Sequence, residues 1–201
     1  MKIIGYGEDS LTLWALKNRL KEILEKLGDN TTPAKCLVIY RPSFGRRGGN
    51  GSSQFGEFDA ILGTFKSTYL IESKRARLKE SKRNDIRLNE VQVRRHKIFT
   101  YYLKKWRELN PDNWTNFSNR IRKDFKKEFG GKPIPRGDTL LARNFIYILE
   151  ELKPYNSETS NVLLFLHGPN LSTLPSSVNP SSFRLIKIEC DYLNKGGYIK
   201  L

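Results

Sequence analysis

The stretch FGEFDAILGTFKSTYLIESKRAR, residues 55–77, limits the fold of this chain more than any other. Two apolar and β-branched runs flank a short GTFKS segment, which is the pattern of a hairpin. Residues two apart in a strand share a face, so Glu57 and Asp59 fall together on the first run, and Leu70, Glu72 and Lys74 on the second. A turn centred between Phe65 and Lys66 sets Asp59 opposite Glu72 and Glu57 opposite Lys74. A slip of one residue would also exchange the faces of the apolar residues. Leu70 and Ile71 give the second strand an apolar residue on each face, so it reads as central in a sheet, where an unpaired carboxylate is costly.

Two carboxylates opposed on neighbouring strands repel unless a cation lies between them, and hard ions such as Mg²⁺ or Mn²⁺ take carboxylate oxygens. Asp59 and Glu72 are therefore candidate metal ligands, with the Ser73 carbonyl completing the set. Lys74 would stand beside the ion, where an ammonium can act on an attacking water or on charge developing at a phosphate. The plain alternative is a solvated hairpin face laced with Glu–Lys pairs.

Around the hairpin the pattern alternates between helix and strand. From Asp9 to Leu27 the leucines recur at helical steps and Gly28 ends the run; Asp9 or Ser10 reads as the N-cap. Residues 34–42 form a short strand, followed by a Gly/Ser loop that carries Arg46 and Arg47. A long helix is expected from about Asp85 to Trp106, with Leu88, Val91, Ile98, Tyr102 and Trp106 as its buried stripe. Residues 111–153 read as one or two further helices inserted into the fold; strands at 161–168 and 182–192 follow. The expected fold class is α/β, a mixed central β-sheet flanked by helices, in one domain over residues 1–201 with its core at about 5–106 and 161–192.

The charge balance points to a polyanion. Thirty-six Lys and Arg face 21 Asp and Glu, a net charge of +15, and the basic residues are interleaved with aromatic ones, which favours nucleic acid over a membrane surface. Two cysteines far apart suggest no zinc site and no disulfide framework. The first residues lack a secretory pattern and the longest apolar run, VLLFL, cannot cross a bilayer, so the expectation is a soluble, cytoplasmic protein with no membrane partner.

At Asp59 and Glu72-Ser73-Lys74, with twelve residues between the two acids, the sequence resembles the PD-(D/E)XK nuclease superfamily, which includes restriction endonucleases, archaeal Holliday-junction resolvases and RecB-like nucleases. The resemblance covers about residues 5–106 and 161–168 and implies a restriction-endonuclease-like core in which Asp59 and Glu72 hold Mg²⁺ and Lys74 assists the water. Phe58 stands where that pattern often has proline. Some members carry a metal-reaching Glu in the first helix, and Glu8 matches it unless the cap leaves Glu8 outside the helix. Related members place a Gln on the helix after the acid-x-Lys strand; Gln92 occupies that place, or is a surface residue.

Glu57 remains a third ligand, a Lys74 partner or a salt-bridge residue, while His96, one turn after Gln92, either faces the site or rides the helix surface, and His167 reads as structural. Arg46 and Arg47 in the loop, and Arg94 and Arg95 in the basic helix, are the candidates for phosphate contact. Trp106, Trp114 and Phe117 either stack on bases or fill a core. The leading expectation is a metal-dependent DNA endonuclease, acting in restriction, repair or junction resolution, with a homodimer as the simplest device for two cuts in a duplex. Its rival is a non-catalytic nucleic-acid-binding protein with a salt-bridged hairpin.

Overall fold

A computed structural model describes residues 3–45, 51–76, 84–169, 171, 173–190 and 198–201. Strand β1 (Ile4–Tyr6) leads into α1 (Gly7–Asn18) and α2 (Leu20–Leu27). The sequence pattern runs through both helices, but the backbone leaves helical geometry at Arg19 (φ −122°, ψ 15°). Gly28 closes α2 in the left-handed conformation (φ 63°), as its position predicts. Strand β2 (Leu37–Tyr40) follows, and then a ribbon of β3 (Ser43–Phe44) and β4 (Gly56–Glu57).

Strands β5 (Ala60–Gly63) and β6 (Thr68–Arg75) form the hairpin in the expected register, paired from Gly63↔Thr68 to Ala60↔Ile71. The first run of the hairpin is not one continuous strand, however. It breaks at Phe58 and Asp59, because Phe58 and Ile61, three residues apart, are buried in the same cluster, which strict alternation forbids.

Residues 85–87 do not begin the long helix; they form β7 (Asp85–Arg87). Helix α3 (Glu90–Leu109) starts later because Asn89 caps it: Asn89 Oδ1 accepts from Gln92 N–H (2.8 Å) and Gln92 Oε1 accepts from Asn89 N–H (3.2 Å). Val91, expected in the buried stripe, is 57% exposed. Helices α4 (Trp114–Glu128) and α5 (Leu140–Glu151) occupy the segment read as an insertion, capped by Asn113 and Thr139. The chain then returns as β8 (Thr159–His167), β9 (Ser177–Asn179), β10 (Phe183–Glu189) and β11 (Tyr198–Lys200).

The central sheet has the order β10-β8-β6-β5-β2; β2, β5 and β6 run antiparallel, while β6, β8 and β10 are parallel. A parallel pair needs a long crossover, and α3, α4 and α5 supply it between β6 and β8. The fold is thus the expected mixed α/β class. Helices α1 and α2 cover one face through Leu11, Leu16, Ile23 and Leu27 against Ile71, Val162 and Leu164. On the other face α3, α4 and α5 form one core with Ile61 and Leu70. That core is largely aromatic: Trp106 (2% exposed), Trp114 (2%) and Phe117 (0%) lie inside it, which removes them as base-stacking surfaces. No helix among the described residues is long and apolar enough to cross a membrane.

Candidate active site

Four consecutive residues at the end of β6 meet four different surroundings. Because β6 is paired on both sides, Glu72 must point to the α3 face of the sheet and Ser73 to the α1 face. Glu72 is 2% exposed. Its Oε1 lies 3.1 Å from His96 Nε2 and 3.2 Å from Arg95 Nη2, and its Oε2 accepts from Gln92 Nε2 at 2.8 Å. The cap that starts α3 thus also orients Gln92: one end of its amide holds the helix N-terminus, the other reaches Glu72.

Asp59 sits at the bend before β5, one residue outside the last pair of the hairpin ladder, Ala60↔Ile71. Its N–H donates to the Ile71 carbonyl (3.2 Å) and its Oδ2 accepts from Ser73 N–H at 2.6 Å. Burial, first of all, and then the nearby Glu72 charge push the Asp59 carboxyl from 3.8 up to about 7; Glu8 adds to the rise, while Ser73 N–H and Arg95 oppose it.

Glu8 lies within the first turn of α1, since the helix begins at Gly7, two residues before the expected cap. The polar groups that signalled a cap are used elsewhere: Asp9 pairs with Arg41, and Ser10 Oγ donates to the Tyr6 carbonyl. Glu8 Oε2 accepts from Arg75 N–H at 2.7 Å, and Thr12 Oγ1 bridges the Glu8 carbonyl (2.9 Å) and Ser73 Oγ (2.8 Å). Lys74 is half-buried, and its ammonium has no hydrogen-bond or ion-pair partner among the described residues.

Other candidates take different places. Glu57 belongs to β4, where its ladder partner is Ser43 rather than Lys74; it accepts from Arg41 Nη2 and Ser43 Oγ, each at 3.1 Å. Arg95, expected on phosphate, is turned inward onto Glu72, with its guanidinium 5.5 Å from the centre of the Phe58 ring. Gly56 (φ 104°) leaves room for it: a Cβ there would meet Arg95 Nη1 at 3.0 Å. His96 is buried between Glu72 and Asn161 Oδ1 (2.8 Å), not riding the helix surface. Arg95 and His96 were detectable as the positions three and four residues after Gln92, on one helix face. His167 is buried at the end of β8 against the Gly168 carbonyl (3.0 Å). Arg94 Nη2 donates to the Phe129 carbonyl (2.7 Å), and Arg46 and Arg47 lie outside the described residues.

No protein-family model, curated protein or solved structure matches this chain.

The side chains themselves decide whether a divalent ion suits the site. Among the described residues no three His, Cys, Asp or Glu side chains are already drawn together as ligands. Asp59 fits nevertheless: a buried carboxyl that ionises only near pH 7 beside a second carboxylate is stabilised as an anion by a neighbouring cation. Glu8 fits as well, since only one of its carboxylate oxygens is engaged among the described residues. Glu72 fits once a donor is displaced, because Arg95, His96 and Gln92 occupy both its oxygens.

Proposed function

We propose that the protein is a metal-dependent nuclease that hydrolyses DNA phosphodiester bonds. The observation that carries this reading is the Asp59–Glu72 pair: two carboxyls at one end of the β5–β6 hairpin, one driven up to about 7 by burial and by the charge of the other, with the Lys74 ammonium, unpartnered among the described residues, two residues beyond. The mixed sheet, with three antiparallel strands and helix α3 leading into the crossover to the parallel β8, is compatible with the restriction-endonuclease-like core that the PD-(D/E)XK resemblance implies. The charge of +15 suits a polyanionic substrate.

Asp59 and Glu8 would hold Mg²⁺ or Mn²⁺, joined by Glu72 and the Ser73 carbonyl, and the bound ion would supply positive charge to the phosphate and acidity to water. Lys74 offers a proton donor and a positive charge to the oxygens that become anionic as the phosphodiester opens. Gln92 keeps Glu72 oriented through the helix cap. Ser73 N–H fixes the Asp59 carboxylate from the backbone, so that group needs no side-chain support. A cytoplasmic place of action and, for double-strand cuts, two copies of the chain go with this reading.

The ion-paired state of Glu72 favours a second reading. A buried carboxylate already met by Arg95, His96 and Gln92 is what a non-catalytic nucleic-acid-binding protein would use to fasten α3 to its sheet. Incubation with supercoiled, linear, single-stranded and four-way-junction DNA, in Mg²⁺, Mn²⁺ or excess chelator, separates the two. Cleavage that needs the ion and disappears in Asp59→Asn and Lys74→Ala, with the fold retained, supports the nuclease. Binding without cleavage of any of these DNAs supports the second reading.

A further inference from the structure

The residues that form the Glu72 site leave the outer side of α3 unused, and that side is strongly basic. Helices α3 and α4 pack through Tyr101, Tyr102, Phe125 and Phe129. Outside this contact runs a groove of about 740 Å³ lined by Lys97, Lys104 and Lys105 of α3 and Lys127 of α4, with Asp124 and Glu128 as its acidic groups. A second groove of about 700 Å³ shares Lys97 and Glu128 with the first and continues past Arg94 to Leu88, just before α3. The exposed face of α4 adds Arg120, Arg122, Lys123 and Lys126.

Two of the four groove lysines are not consumed by internal pairing among the described residues. Lys97 and Lys127 have no carboxylate within ion-pair distance among the described residues, and Lys104 and Lys105 share the single Glu108. Four ammonium groups thus face two carboxylates across the first groove. A second observation is independent of charge: Tyr101, 8% exposed, lines this groove, and its buried hydroxyl has no hydrogen-bond partner among the described residues. A buried hydroxyl is normally satisfied, and here the groove beside it is the place from which an acceptor oxygen can come once the side chains above it part.

Lys97 and Lys104 are seven residues apart, about two turns or ~10 Å along α3, and Lys97 follows Gln92 by about 7.5 Å of helix rise. One helix therefore carries both the reactive end of the sheet and the basic track.

We propose that the α3–α4 groove binds the DNA phosphodiester backbone and leads it toward the Asp59–Glu72 site. The choice of DNA rests on the nuclease reading; the groove itself rests on the lysines and Tyr101.

The test is equilibrium binding in chelator, so that no strand is cut, to a 20-base-pair duplex and to its single strand across a series of salt concentrations. Replacing Lys97, Lys104 and Lys127 together by Gln should lower the slope of log affinity against log salt by up to about 2.7 on duplex and about 2.1 on single strand, at roughly 0.9 and 0.7 per phosphate lost. Replacing Lys17, Lys21 and Lys35, exposed on and just after the α1–α2 layer, makes the same charge change away from the groove and should alter the slope much less. Tyr101→Phe should weaken binding about tenfold, the worth of one hydrogen bond to a charged group. An unchanged slope in the groove variant, an equal fall in the control variant, or wild-type affinity in Tyr101→Phe overturns the proposal. Wild-type protein that binds with these slopes yet never cleaves in Mg²⁺ or Mn²⁺ defeats the nuclease reading and leaves the groove standing. Metal-dependent cleavage by a groove variant with an unaltered slope does the reverse.

Discussion

Asp59→Asn should make the protein more stable at pH 8 and leave it nearly unchanged at pH 4. The folded chain raises the Asp59 carboxyl from 3.8 to about 7, about three units, and at 1.36 kcal/mol per unit this amounts to about 4 kcal/mol. Its direction follows from which state holds the proton. Below about pH 4 both folded and unfolded chains keep Asp59 protonated, and the contribution of the favourable protonated form is fully present. As pH rises, the unfolded chain releases its proton first, so the folded state loses stability until its own carboxyl ionises near 7. Asn carries no charge at any of these values, and its amide oxygen can still accept the Ser73 N–H that Asp59 Oδ2 holds at 2.6 Å. Urea denaturation of wild type and variant at half-unit steps from pH 4 to pH 8 measures the difference. The gap should open between pH 4 and pH 7 and then level off; at pH 8, saturating Mg²⁺ should close much of it by stabilising the wild type alone. A gap of constant size across this range, or a variant less stable than wild type at pH 8, would refute the argument from burial and the Glu72 charge.

Two further substitutions test the packing around the site. Arg95→Met strands a carboxylate that is 3% exposed, and should lower stability by about 3 kcal/mol, the smaller end of the range for a broken buried pair because His96 and Gln92 remain; adding Glu72→Gln should recover part of the loss in a double-mutant cycle, and simple additivity would refute the pairing. Trp114→Ala should lower stability by about 3–5 kcal/mol in thermal or urea denaturation while DNA affinity is kept; lost affinity at unchanged stability would instead make Trp114 a base-stacking residue.

The hairpin could be read from the sequence because the two apolar runs flank a short turn, and a slip of one residue would exchange the faces of the apolar residues on β5 and β6. Helix α2 was equally legible from its leucine spacing and Gly28. Alternation failed one residue before the pairing began, where burial of Phe58 turns the chain and separates Glu57 from Asp59. Glu57 meets Arg41 across a loop that carries no periodic signal. Helix starts depend on which competing polar group wins: Asp9 is taken by Arg41 and so caps nothing, whereas Asn89-x-x-Gln92 is a capping box whose signature stands in the sequence. The inward turn of Arg95 was hidden by its neighbours, since one arginine in a basic helix looks like the next until the carboxylate beneath it is known.

Strand β6 is matched to β5 over four residues and to β8 over eight, with β5 running against it and β8 running with it. Loss or gain of one residue between Ser67 and Glu72 would turn the acid to the α1 face and Ser73 to the α3 face. It could not be absorbed by sliding, because β6 is paired on both edges and a slide of one residue would exchange its faces against both neighbours. This segment can therefore change in chemistry, residue by residue, but not in length, and any variation in length has to be placed in the connections outside it.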